Sequence, residues 1–173
     1  MGIVKKLGAV YNLDMLNDLI ILSAKYLYLL VLLLAILAFL WVPKNQKYSL
    51  LLLSIITLPC VYIIAKISSH FYFDPRPFIE GHFTPLIAHA ADNGFPSDHT
   101  LITAALSSII FFFNKKISAV MWLLTLLVGA ARVAAGIHHS VDIIGAIAIA
   151  AVVTAIIHQL LQRQRIIAYN STL

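Results

Sequence analysis

Charge is scarce in this sequence. Lys, Arg, Asp and Glu make up 11% of its 173 residues, where a soluble domain carries about 25%. With 61% hydrophobic residues and a mean hydropathy of +0.95, that excludes a disordered chain and argues against a water-soluble globule. Cysteine is nearly absent: Cys60 stands alone, so there is no intramolecular disulfide and no Cys-based metal site. No basic run exceeds two residues. The net charge of +5 is therefore read as topology signal and site chemistry, with no nucleic-acid footprint. No internal repeat or low-complexity linker is present, and the length suits one integral-membrane domain over residues 1–173. A cleaved signal peptide is not expected: the first apolar run begins late, is too long, and ends in Trp41-Val42-Pro43.

What the chain has instead is apolar runs. About 20 mostly apolar residues cross roughly 30 Å of hydrocarbon as a helix. Five stretches qualify, near 19–42, 48–67, 100–113, 117–135 and 141–161. The third is short unless Pro96 to His99 begin its helix. Ahead of the first span, Ala9, Leu13, Leu16 and Ile20 recur at helical spacing opposite Asn12, Asp14, Asn17 and Asp18. This predicts an interfacial amphipathic helix over 7–20, the alternative being a polar tail. The expected fold is an all-α polytopic bundle of about five transmembrane helices plus that N-terminal helix.

The charges orient it. Lys44 and Lys47, Lys115 and Lys116, and Arg163 and Arg165 fall on one side, which the positive-inside rule makes cytoplasmic. All seven acidic residues fall on the other, with the N-terminus and the long loop Ser68–Asp98. Lys5 and Lys6 go against this assignment. Trp41 and Trp122 lie near cytoplasmic span ends. Small residues in the last three spans mark close helix contacts, and the Leu-rich first span is expected to face lipid.

Ionisable groups at membrane depth cost roughly 2.5–3.5 kcal/mol each at the centre on insertion scales. Three clusters bear them, all at the outer face. The first is Lys66 with Asp74-Pro75-Arg76-Pro77. Prolines on both sides of Arg76 stop any helix and suit a guanidinium fixed for phosphate oxygens, or simply a turn with a solvated arginine. The second is Gly94-Phe95-Pro96-Ser97-Asp98-His99-Thr100, with Ser97 as N-cap of a helix whose N-terminus can hold an anion. The third is Arg132, His138 and Asp142. If His138 and Asp142 share a turn, the carboxylate accepts from one ring nitrogen and leaves the other as nucleophile or base. Two arginines, a paired and an unpaired histidine and a helix N-terminus are the inventory of phosphoryl transfer through a covalent intermediate. No carboxylate cluster of the kind that holds Mg²⁺ is evident, so arginines are expected to replace a metal, with no cofactor.

These residues resemble the type-2 phosphatidic acid phosphatase superfamily, whose pattern is Lys-x6-Arg-Pro, Pro-Ser-Gly-His and Ser-Arg-x5-His-x3-Asp. Here the third motif keeps its spacing with Ala131 for Ser. The second reads Pro96-Ser97-Asp98-His99, with Asp for Gly. The first keeps Arg76-Pro77, with Lys66 ten residues before the arginine instead of seven. The resemblance covers about residues 60–160. Within it, Phe-Pro-Ser-Asp-His and Asp-Pro-Arg-Pro-Phe look most like bacterial undecaprenyl-diphosphate phosphatases of the bacitracin-resistance type. The resemblance implies His138 as nucleophile, Asp142 orienting it, and His99 as general acid. It implies Arg76, Arg132, Ser97 and Lys66 as phosphate ligands. The implied partner is a lipid phosphate or diphosphate presented by the plasma membrane to an extracytoplasmic site, with the C-terminus cytoplasmic. Glu80, His82, His89 and Asp92 are expected in a solvated loop, His139 as a spectator, His70 as a minor candidate. Lys25 is expected to snorkel. Rival readings are a phosphatidylglycerophosphate or phosphatidate phosphatase, a permease subunit, and a metal-binding histidine protein.

Overall fold

The computed structural model describes residues 2–164, 166 and 167, the side chains of residues 2–12 excepted. Its helices are α1 (Gly2–Trp41), α2 (Lys44–Phe71), the single turn α3 (Pro77–Glu80), α4 (Asp98–Phe111), α5 (Lys115–Ala134) and α6 (Ser140–Arg163). Among the described residues there is no β-strand, only an isolated bridge between Pro75 and Asn93. Pro43, with φ −53°, separates α1 from α2 at the N-cap of the second helix. Asn114 starts α5 by accepting from Ile117 N at 3.0 Å.

Four of these helices are long and apolar enough to cross a membrane, counting α1 from Leu13. The fifth, α4, has 14 residues and rises only about 21 Å. It begins at Asp98 and packs on α1, α2, α5 and α6, which makes it the central helix. Its buried residues lie almost all round: Thr100, Leu101, Thr103, Ala104, Ala105, Ser107, Ser108, Ile109 and Ile110.

α1 buries Ala24, Val31 and Ala38, one residue every seven, and exposes Leu22, Leu29, Leu33, Ile36 and Leu40. It is the peripheral, lipid-facing helix its composition predicts. Residues 7–20 are helical, as the pattern predicts, and form no element apart from the span. They are part of α1 and run into the span without a break, because nothing between Gly8 and Trp41 is a proline or a glycine. The side chains of residues 7–12 lie outside the described residues.

Hydroxyls knit the centre. Ser107 Oγ and Thr125 Oγ1 meet at 3.1 Å between α4 and α5, and Ser118 Oγ donates to Ser107 O at 2.8 Å. Thr103, Ser108 and Thr154 donate to carbonyls within their own helices. Each buried hydroxyl named here is spent on the bundle, as helix contacts in lipid require.

Candidate active site

The chain builds the site at one end of the bundle, where α2 and α5 end and α4 and α6 begin. Asn93 clasps the loop there. Its Oδ1 accepts from Asp74 N and Phe95 N at 2.9 and 3.0 Å. Its Nδ2 donates to Ser69 O, Ser69 Oγ and Tyr72 O at 3.0–3.1 Å. Leu86 N donates to Ala135 O at 3.1 Å, tying the outer part of the loop to the end of α5.

That clasp presents Arg76, which is buried. Its Nη1 donates to Ile137 O at 2.8 Å, and its Nε donates to Asp92 Oδ1 at 2.7 Å. The same Nη1 stands 3.4 Å from His138 Nε2. From the other side Arg132 Nη2 stands 3.3 Å from that nitrogen, while Arg132 Nη1 donates to Ala24 O of α1 at 3.2 Å. His138 Nδ1 faces Asp142 Oδ2 at 3.0 Å, with Asp142 fully buried. An ionised carboxylate accepts a hydrogen bond from Nδ1–H, so Nε2 is left with its lone pair toward the two guanidiniums. His138 lies in the connector between α5 and α6, outside the spans. Burial pushes its imidazole below 6.5, and the bond to Asp142 pulls it part of the way back. It is a neutral ring at neutral pH.

Two buried guanidiniums on one neutral imidazole repel each other unless an anion joins them. Arg132 Nε is also buried without a partner among the described residues. A tetrahedral oxyanion is the ligand whose chemistry fits that donor set.

His99 is the second residue of α4, and the titratable groups near enough to influence it are Arg132, Asp98, His138 and His89. Tyr28 of α1 braces the His99 ring edge-on, with ring centroids 4.6 Å apart. Ser97 is fully buried at the N-cap position of α4, yet its side chain makes no capping bond. Its Oγ accepts from Thr100 Oγ1 at 3.1 Å instead. Lys66 is not among the groups brought onto His138. It lies exposed on α2, 3.9 Å from Asp98 Oδ1 and 5.2 Å from the centroid of the Tyr62 ring.

Four residues read as bland in the sequence take part. His139 is no spectator. It is the N-cap of α6, and its backbone N donates to Asp142 Oδ2 at 2.9 Å. Its ring sits between Asp74 Oδ2 (3.0 Å) and Glu80 Oε2 (3.4 Å). Asp92 neutralises Arg76, and the His89 ring stands 6.3 Å from the His138 ring. Burial, then the charge of Arg76, pushes His89 below its ordinary value, so it too is uncharged at neutral pH. Asp74, His139 and Asp142 offer atoms within 4.8 Å of one another. The two carboxylates already engage His138 and His139, so we read an internal hydrogen-bonded cluster.

Gly145 lets the second motif reach its place. A Cβ there would overlap the Phe95 ring, two residues before Ser97. Gly145→Ala is expected to destabilise the protein by about 1–3 kcal/mol through overpacking. The check is thermal unfolding in detergent beside an activity assay. An unchanged melting temperature would show that Phe95 can move aside freely.

At one end of a bundle of apolar spans, two buried arginines thus converge on one imidazole. Residues 47–166 match the PAP2 superfamily, and the chain belongs to that superfamily. Over 82 residues it is 42% identical to the undecaprenyl-diphosphatase BcrC of Bacillus subtilis (strain 168), which is 47% of this chain and 42% of that protein. The chain thus spans less than half of that relative's length in the aligned part. Over 143 residues it is 31% identical to the bacitracin transport permease protein BcrC of Bacillus licheniformis, covering 81% of this chain and 68% of that one. The fold is similar to that of Aquifex aeolicus LpxE, with a TM-score of 0.64 at 22% identity over 84% of this chain and 86% of that chain.

Proposed function

We propose that this chain is a membrane lipid phosphatase that hydrolyses a polyprenyl diphosphate to the monophosphate and inorganic phosphate. The observation that carries the proposal is His138, with Nδ1 on a buried carboxylate and Nε2 between two guanidiniums. In this reading His138 Nε2 attacks the terminal phosphorus. The bond from that phosphorus to the bridging oxygen breaks, and His99 protonates the departing lipid monophosphate. A water then gives its proton to His99 and attacks the phosphohistidine, which releases inorganic phosphate and restores both rings. Arg76 and Arg132 neutralise the equatorial oxygens, with Ser97 beside them and Lys66 further out as a ligand of the lipid headgroup.

The positive-inside assignment puts this end of the bundle outside the plasma membrane and the C-terminus in the cytoplasm. The bilayer then presents the headgroup directly. A transport role, which one relative's name suggests, is less well supported. The buried guanidiniums, His138 and Asp142 gather at one end of the bundle, and the hydroxyls named within it bond to the bundle itself.

The test is phosphate release by the purified chain in excess chelator. The substrates are a polyprenyl diphosphate, the monophosphate, phosphatidylglycerophosphate and phosphatidate. Fastest release from the diphosphate is expected, undiminished by chelator. Release only from a glycerophospholipid would move the substrate assignment, and no release from any of them would end the phosphatase reading.

The pH profile gives an independent check. His138 attacks only when neutral, and its pKa lies below 6.5. The acid limb of the free enzyme's kcat/KM should therefore lie below pH 6.5, set by His138, and the base limb is set by His99, which must carry a proton to act as the acid. Asp142 raises the His138 pKa, so Asp142→Asn should move this acid limb to still lower pH while reducing kcat. An acid limb that moves upward in this variant would contradict the pairing.

A further inference from the structure

Behind the His138–Asp142 pair lies a second carboxyl that the proposed mechanism does not use. Asp142 Oδ2 accepts from His138 Nδ1 and from His139 N, at 3.0 and 2.9 Å. Its Oδ1 is buried and has no partner among the described residues. Asp74 is the neighbouring acid, with its side chain 14% exposed. Its Oδ2 lies 3.0 Å from His139 Nδ1 and belongs to the cluster within 4.8 Å of Asp142. The charged and titratable groups around it are Asp142 on α6, His139 before α6, and Glu80 of α3 beyond the His139 ring.

Two carboxyl groups this close and this sheltered do not both ionise readily, and their contact becomes a hydrogen bond when one keeps a proton. Burial and the neighbouring Asp142 push Asp74 above the ordinary carboxylate range, while His139 pulls the other way. The backbone holds the two acids together. Asp74 O accepts from Gly94 N at 2.8 Å. A Cβ on Gly94 would come within 2.9 Å of Asp142 Oδ2 and 3.2 Å of Asp74 O. Glycine is what lets this strand of chain pass between them.

Resting on the phosphatase reading above, we infer that Asp74 is a positioning residue for the nucleophile: its carboxyl keeps a proton and donates it to Asp142. Asp142 then stays an ionised acceptor aimed at His138 Nδ1. The loop that carries Arg76 is thereby coupled to the helix that carries the orienting carboxylate.

An amide mimics a protonated carboxyl, because it donates to Asp142 and still accepts from His139. Asp74→Asn should keep kcat within about threefold of wild type, since no donor is lost. Asp74→Ala should lower kcat about 10–100-fold, the range for losing a group that orients a functional side chain, with KM nearly unchanged. The second readout is ¹⁵N NMR of the labelled His138 ring in the full chain. It should show the Nδ1–H tautomer in wild type and Asp74→Asn, and a mixture in Asp74→Ala.

An Asn variant as impaired as the Ala variant would show that ionised Asp74 is needed and would overturn the inference. So would an unperturbed His138 tautomer in Asp74→Ala. If the alanine variant does not fold, the isosteric Asn variant decides alone. If wild type releases phosphate from no lipid, the phosphatase reading fails, and the NMR comparison still decides the role of Asp74.

Discussion

His138→Ala should abolish phosphate release, with a loss in kcat of about 10⁴-fold or more, the scale seen when a covalent nucleophile is removed. Among the described residues no other side chain fills its place. His139, the next residue, has its two ring nitrogens turned to Asp74 and Glu80. His89 is near, but its Nδ1 has only Ala90 O at 3.4 Å and Asp92 Oδ1 at 3.9 Å beside it, and Asp92 is held by Arg76. The variant should still fold, because α6 keeps its His139 N-cap and Asp142 keeps the donor from His139 N. Thermal unfolding beside the assay separates lost chemistry from lost structure. Acid-stable, base-labile or absent phosphoenzyme in wild type would also count against attack by histidine, since a phosphohistidine is labile in acid and stable in base. Near-normal turnover by His138→Ala would move the nucleophile elsewhere.

Arg132→Lys is expected to cost about 10²–10³-fold in kcat, the effect of removing one donor from a site where charge develops. Lysine keeps the charge and loses the fork. Arg132 uses one arm on Ala24 O and aims another at His138 Nε2. A single ammonium cannot serve both directions, so either the substrate's oxygens would lose a fixed donor or α1 would lose its hydrogen bond from Arg132. Arg76 is a less clean test. Its bonds to Asp92, Asn93 and Ile137 also hold the loop, so its removal mixes catalysis with loop order. Full activity in Arg132→Lys would mean that charge alone is enough there.

The parts of this site that were legible in the sequence are those whose geometry is local. Arg132, His138 and Asp142 fall within eleven positions, at the end of one helix and the start of the next, so their spacing carries their proximity. The prolines around Arg76 fix its backbone, and the apolar runs fix the spans. What was hidden comes from pairs far apart in sequence. Asp74 meets His139 across 65 positions, and Arg76 meets Asp92 across 16 within a loop with no periodicity. A buried guanidinium needs a carboxylate nearby, and that requirement was the available signal for Asp92. Asn93 gave none, because an asparagine that ties a loop looks like any other loop asparagine. The N-terminal polar pattern predicts a helix over 7–20, and the helix is there, continuous with the first span. Pattern alone does not break a helix, and no proline or glycine stands there to do so. Lys66 shows the reverse case, a residue with the right chemistry whose displaced position in the motif matches its place on the outside of α2 beside Asp98.

The most direct test of the central claim is a crystal structure of the full chain with vanadate, a trigonal-bipyramidal mimic of the phosphoryl group in transfer. The account predicts vanadium bonded to His138 Nε2, equatorial oxygens on Arg76 and Arg132, and the apical oxygen opposite the nucleophile facing His99. Vanadate bound away from His138, or bound there with His99 turned out of the pocket, would contradict it.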